Sequence, residues 1–357
     1  MSLACIFPVA YMRQIGAPLV TVPHKCIRQY HGNGPKSNGS RNTRTNRFED
    51  EQECDYSKIP PTRKRTKRSG HVLGFDLKAS NVEFIYGLSA VEAALKQGNR
   101  EHYGLIAKRS NGGDVTKSRL GDITQLVTEM DLSVKWVQGQ EITEIVGVSN
   151  HQGVALKTSK LVANRIKDLG PFVDGEHEIT QTGGAVVKYG SRRSVPLWLC
   201  LDGIQDTHNL GSILRTALYF GVDGVLLDGD EYCRPSAVVS KISCGAMECL
   251  PIFKVNATRR FFNKAKANGW KVLCTTTHST AVAESVMVDD LPEQTQPTIL
   301  VMGGESNGIS QGILDLSDLN VHIEERSDVP SFIDSLNVGV AAGVILSKIN
   351  IPKKPRD

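Results

Sequence analysis

The stretch Leu197-Trp-Leu-Cys-Leu-Asp202-Gly-Ile-Gln-Asp206-Thr-His-Asn209-Leu-Gly211-Ser-Ile-Leu-Arg215-Thr-Ala217 decides the fold. Residues 197–201 are an unbroken apolar run of strand length that stops at an acidic, glycine-containing turn. A helix is expected over residues 209–220, opened by Asn209. A strand without a polar face is buried on both sides, and a strand that feeds a helix belongs to a parallel sheet.

Toward the C-terminus the alternation repeats. Strands are expected at residues 224–227, 270–275, 298–302 and 321–324, and helices near 236–243 and 338–348. Residues 197–352 therefore form an α/β domain with a parallel sheet. Toward the N-terminus, residues 159–196 are rich in Gly, Lys, Arg and Ser with little periodicity, which predicts a linker on which the preceding domain swings. Residues 75–158 form a small mixed domain: a turn and helix over 83–97 with Val91, Ala94 and Leu95 on one face, strands at 103–107 and 132–137, and the stretch 151–156 that ends the unit.

A chain of 357 residues accommodates two such domains and a tail. Its net charge of +4 hides an asymmetry, because residues 1–70 hold thirteen Lys or Arg against five acidic residues, leaving the remainder at about −4. A slightly acidic body holds nucleic acid only through a local basic patch. The first 47 residues contain no Asp or Glu but carry Arg13, Lys25, Arg28, Lys36, Arg41, Arg44 and Arg47 among Ser, Asn and Thr. That composition is a mitochondrial transit peptide, so residues 1–74 are read as leader and disordered basic linker. A secretory signal places its charges before its apolar stretch, and here the apolar stretch comes first; a plain basic arm is the other alternative. The run from Arg63 to Arg68 reads as a nuclear address, a nucleic-acid contact or a solvated linker. No apolar stretch reaches the roughly 18 residues of a membrane helix, and the eight cysteines include no C-x-x-C pair, so neither a membrane nor a structural metal is expected.

In open parallel sheets ligands bind beyond the carboxyl ends of the strands. In the first such loop, Arg215 lies six residues after Asn209, close enough for both to face one cleft, although a capping Asn and a surface Arg explain the pair as well. The second runs from Thr298 into Gly303, Gly304 and Glu305, glycines that let a ligand approach the backbone. It matches neither G-x-G-x-x-G nor the P-loop, which disfavours phosphate cradling. The third, Val329-Pro330 to Ser335-Leu336-Asn337, enters an apolar helix, where capping accounts for at least one polar residue.

Together, in this order and at these spacings, the three loops resemble the motifs of the SpoU (TrmH) family of RNA 2'-O-ribose methyltransferases, over residues 197–349. The intervening Lys241-Ile-Ser243-Cys-Gly245-Ala246-Met-Glu248-Cys-Leu-Pro251 also looks like that family. Residues 85–95 and 151–154 are similar to the substrate-binding domain of the branch acting on guanosine in large-subunit rRNA, including its mitochondrial members. Thr207 stands where the first motif often has proline, and the spacer from Pro330 to Ser335 is shorter than in many relatives.

The resemblance implies a SPOUT-type fold with a deep C-terminal trefoil knot, preceded by a ribosomal protein L30-like domain, and a homodimer that completes the site. The implied cofactor is S-adenosyl-L-methionine, held by Gly303, Gly304, Val329, Leu336 and Thr276. The implied catalytic residues are Arg215, Asn209, Glu305, Ser335 and Asn337. Arg215 is implied either as base or as a charged clamp that orients phosphate and lowers the hydroxyl's pKa. The implied partner is large-subunit rRNA in the mitochondrial matrix, at a guanosine of the peptidyl-transferase region, and not DNA. A transfer-RNA methyltransferase of the same family and a non-catalytic RNA-binding assembly factor are the alternatives.

Overall fold

A computed structural model describes residues 71–72, 75–76, 81–109, 118–229, 232–255, 257–277, 283–305, 307–326, 328, 330 and 335–350. They belong to one compact unit, Arg68–Asp357. Of the expected leader and basic linker over residues 1–74, all but 71–72 lies outside them, as does Val329, and residues 71–72 form a strand instead of disordered linker.

A two-residue pairing of β1 (His71–Val72) with β2 (Phe75–Asp76) precedes the first domain. That domain is a four-stranded sheet of β3 (Val82–Tyr86), β4 (His102–Lys108), β5 (Val134–Val137) and β6 (Val154–Ser159), in the order β3-β6-β4-β5. Helices α1 (Leu88–Gln97), α2 (Arg119–Glu129) and α3 (Gly139–Val146) join its strands. Helix α1 buries Ala90, Val91, Ala94 and Leu95, the 3.6-residue stripe of an amphipathic helix, against Ile85, Leu105 and Leu156.

Among the described residues the second sheet has ten strands. In chain order they are β7 (Asn164–Leu169), β8 (Glu176–Gln181), β9 (Val186–Gly190), β10 (Leu197–Asp202), β11 (Gly224–Asp228), β12 (Ile252–Val255), β13 (Lys271–Thr275), β14 (Ser285–Met287), β15 (Thr298–Gly303) and β16 (Leu319–His322). Across the sheet they run β14-β16-β13-β15-β10-β11-β12-β7-β8-β9. From β14 to β7 every pairing is parallel; β7-β8-β9 is antiparallel.

Strand β10 shows why this sheet is two-sided. Leu197, Leu199 and Leu201 enter one core with α4 (Thr207–Tyr219), α5 (Ala237–Ile242), α6 (Ala246–Cys249) and α9 (Val338–Asn350). Trp198 and Cys200 enter the other, with α7 (Thr258–Ala267) and α8 (Gln311–Leu314). Alternate side chains leave a strand on opposite faces, so only an all-apolar strand fits the middle of such a sandwich. Burying each of these leucines contributes about 1.5–3 kcal/mol.

Residues 159–196 are not a linker: 164–190 form three strands that extend the second sheet. Their pattern has period two. Ile166, His177, Ile179 and Tyr189 face the core around Trp198, while Arg165, Lys167, Glu178 and Lys188 face solvent.

Nor does the first domain swing freely. Buried Arg100 donates from Nε and Nη2 to the Glu248 carboxylate at 2.8 and 3.0 Å and from Nη1 to Glu83 at 2.5 Å. Glu248, itself fully buried, also accepts from Ser240 Oγ at 2.8 Å, and its carbonyl accepts from Asn99 Nδ2 at 2.9 Å. Burial pulls the Arg100 pKa down, and the bonds to Glu248 and Glu83 more than reverse it. Gly245 admits the close packing: at φ 87° it faces α1 where an added Cβ would stand 2.6 Å from the Ala93 methyl.

Candidate active site

The loops that follow β10, β13, β15 and β16 emerge from one edge of the sheet. The register fixes this, because Asp202 aligns with Gly303 across β10 and β15, and Cys274 with Val301 across β13 and β15.

The loop after β10 turns directly into α4. Its N-cap is Asp206, whose Oδ1 accepts from the backbone N–H groups of His208 and Asn209 at 2.8 and 2.9 Å. The helix therefore starts at Thr207, two residues before the expected start, and Asn209 is not the cap. Its side chain is left for another partner. That partner comes from the far end of the chain: Asn337 Nδ2 donates to Asn209 Oδ1 at 2.9 Å and to Glu305 Oε1 at 2.7 Å. Asn337 Oδ1 meanwhile accepts from Gly339 N at 2.9 Å, capping α9. Capping and bridging are thus done by opposite ends of one amide.

The loop after β15 is pinned to the loop after β10. Gly304 N donates to the Asp202 carbonyl at 2.9 Å, and Ser310 N donates to Asp202 Oδ2 at 2.7 Å. A Cβ on Gly304 would lie 2.7 Å from the Gly203 carbonyl oxygen, and one on Gly303 would collide with the Gly308 backbone. Glycine at 303 and 304 is required by backbone crossing backbone. Helix α9 reaches α4 through Gly339, where a Cβ would meet Ser212 Oγ. Asp202 and Asp206 carry this geometry although the sequence reading gave them no role; an Asp one residue before a helix is the signal that finds Asp206.

Among the expected catalytic residues, Asn209, Glu305 and Asn337 are joined directly. Arg215 is exposed on α4, six residues or about 9 Å along the helix from Asn209, and its side chain has no hydrogen bond or ion pair among the described residues. Ser335 and Leu336 are exposed and lie one and two residues ahead of Asn337. Thr276 follows β13, and its backbone N–H donates to the Val321 carbonyl at 3.0 Å. Its hydroxyl is buried without a hydrogen-bond partner among the described residues. A buried, unpaired hydroxyl at a sheet edge costs free energy unless a polar ligand meets it, so this position fits a polar cofactor.

The SpoU rRNA Methylase family profile matches residues 196–347, and the profile for RNA 2'-O ribose methyltransferase substrate binding matches 84–162. The chain is 31% identical over 281 residues to 23S rRNA (guanosine-2'-O-)-methyltransferase RlmB of Pseudomonas aeruginosa, covering 77% of this chain and 99% of that protein. It is 29% identical over 280 residues to human rRNA methyltransferase 1, mitochondrial, covering 77% and 74% of the two chains. Among solved structures it resembles an AdoMet-bound rRNA methyltransferase from Sinorhizobium meliloti, with TM-score 0.55 and 20% identity over 76% of this chain and 87% of that one.

Proposed function

The chain belongs to the SpoU rRNA methylase family, and from that premise we propose that it transfers a methyl group from S-adenosyl-L-methionine to a ribose 2'-hydroxyl of RNA. The observation that carries the reading is the Asn209–Asn337–Glu305 bridge, which joins the first turn of α4 to the loop after β15 and to the residue that opens α9. A bland parallel-sheet protein has no need to tie these elements together through polar side chains.

The cofactor supplies the electrophilic methyl carbon. Thr276 Oγ1, the backbone around Gly303 and Gly304, and Leu336 are the proposed holding groups, with Val329 beyond the described residues. Asn209 and Asn337 orient the acceptor ribose, since each amide offers both donor and acceptor. Positioning is most of the work in an in-line displacement. Glu305 holds the Asn337 amide in register, and Ser335 is assigned to the same rim. Arg215, facing solvent as a cation, clamps the phosphate beside the target nucleotide and steadies negative charge growing on the 2'-oxygen.

Four finer assignments belong to the same proposal. A trefoil knot is supported by the return of the chain from β16 to lay α9 on α4, and by the tight crossing of Gly203 and Gly304. A homodimer is supported by α9, which is apolar almost all round yet leaves Val340 54% exposed, next to Leu336 at 49%. Residues 75–158 form the RNA-binding domain, L30-like in fold. Residues 1–74 direct the chain to the mitochondrial matrix, supported by their acid-free basic start and by the mitochondrial relatives.

The target we propose is a guanosine in the peptidyl-transferase region of mitochondrial large-subunit rRNA. Mapping 2'-O-methyl positions in that RNA with and without the protein tests this; one guanosine is expected to lose its methyl group, and an unchanged map overturns the assignment.

A further inference from the structure

Residues 249–283 hold six Lys or Arg and no Asp or Glu, within a folded body that is net acidic. Strand β12 and helix α7 carry most of this charge, and the structure separates what is neutralised from what is not. Lys264 is paired with Asp168 at 2.6 Å and Lys266 with Asp318 at 2.8 Å. Arg259 and Arg260 are exposed, and their side chains have no ion pair or hydrogen bond among the described residues. On the other face of the sheet, Lys254 of β12 stands directly opposite Arg165 of β7, with its Nζ 4.5 Å from the Tyr232 ring centroid. Exposed Lys167, two residues on from Arg165, points the same way.

This patch shares the edge of the sheet with the proposed active site. Helix α7 starts three residues after β12 ends, at the carboxyl end of the parallel strands. Strand β12 is two strands from β10 and three from β15. At about 4.8 Å per strand the patch begins roughly 10–14 Å from the catalytic loops, the reach of a short run of nucleotides. The first turn of α7 has no side-chain cap, so its backbone N–H groups add to the attraction for an anion. Guanidinium forks match phosphate oxygens in pairs.

We propose that Arg259 and Arg260, at the start of α7, bind the phosphate backbone of the RNA segment next to the methylated ribose. This rests on the RNA methyltransferase reading. It assigns the local basic surface that an acidic body needs to hold RNA.

The test measures binding of the full chain to single-stranded oligouridylate across a salt series. At about 0.7 per phosphate contact, R259S/R260S is expected to flatten the log–log salt slope by about 1.4 and weaken binding ~25-fold at about 0.1 M salt, with S-adenosylmethionine affinity unchanged. The control K271S/K348S removes two charges elsewhere, at the start of β13 and near the end of α9, and is expected to bind as wild type does. An unchanged slope in R259S/R260S overturns the proposal, and so does an equal loss in the control. Wild-type binding to phosphatidylserine vesicles without binding to oligouridylate overturns it in favour of a membrane surface. If R259S/R260S flattens the slope but the wild type methylates no RNA, the functional reading fails while the phosphate surface stands.

Discussion

Asn337 shows how much one side chain does when its two ends are used separately. Its oxygen caps α9 and its nitrogen bridges Asn209 and Glu305, so the two tasks can be pulled apart by mutation. Asn337→Ala is expected to lower kcat about 100-fold through lost positioning and to cost about 1 kcal/mol as a lost cap. Asn337→Asp keeps the capping oxygen but turns a carboxylate toward Glu305; it should retain most of the thermal stability and lose comparable kcat. Equal stability loss in both variants, read by melting temperature, counts against this division. Asn209→Ala should lower kcat more than it weakens cofactor binding, and Arg215→Ala with near-normal turnover removes Arg215 from the mechanism. These residues were legible in the sequence as a set and ambiguous one by one. The capping explanation for Asn209 was a local argument, whereas its partner lies 128 positions away, a separation that propensity does not register.

At the level of elements, the central strands were readable because apolar runs such as β10 have strand length and stop at turn residues. The extension β7-β8-β9 was not, since about half its side chains face water and its strands carry more polar than apolar residues. Burial of one face is visible only once Trp198 and Phe253 are in place to receive it. That extension carries a consequence for acid stability. His177 in β8 is buried against Trp198, Trp270 and Tyr189 with neither ring nitrogen hydrogen-bonded among the described residues, and burial lowers its pKa to about 4. The unfolded chain binds that proton near pH 6.5, so the folded state loses stability as pH falls from about 6.5 toward 4. The chain should be about 2 kcal/mol less stable at pH 5 than at pH 7 on this account. His177→Phe is expected to flatten this part of the profile in denaturant melts; a profile of unchanged slope shows that other groups set it.

For the whole molecule, the sequence separated two folded domains and the class of the larger one. Strand order across the sheet was beyond it, because β10 lies between β11 and β15 through long-range pairings that no local pattern encodes. The junction between the domains was beyond it too: Arg100 and Glu248 sit 148 positions apart, and each alone reads as an ordinary surface charge. Removing one member of a buried ion pair costs about 3–5 kcal/mol, so Arg100→Ala should lower stability by that amount in urea unfolding. Replacing both, as Arg100→Met with Glu248→Leu, should recover most of it, and the wild type should unfold in one transition rather than domain by domain. The same pair limits how this architecture can be recombined. A chimera that grafts the front half of one relative onto the back half of another inherits half of a lock, and works only where both parents cut the same key.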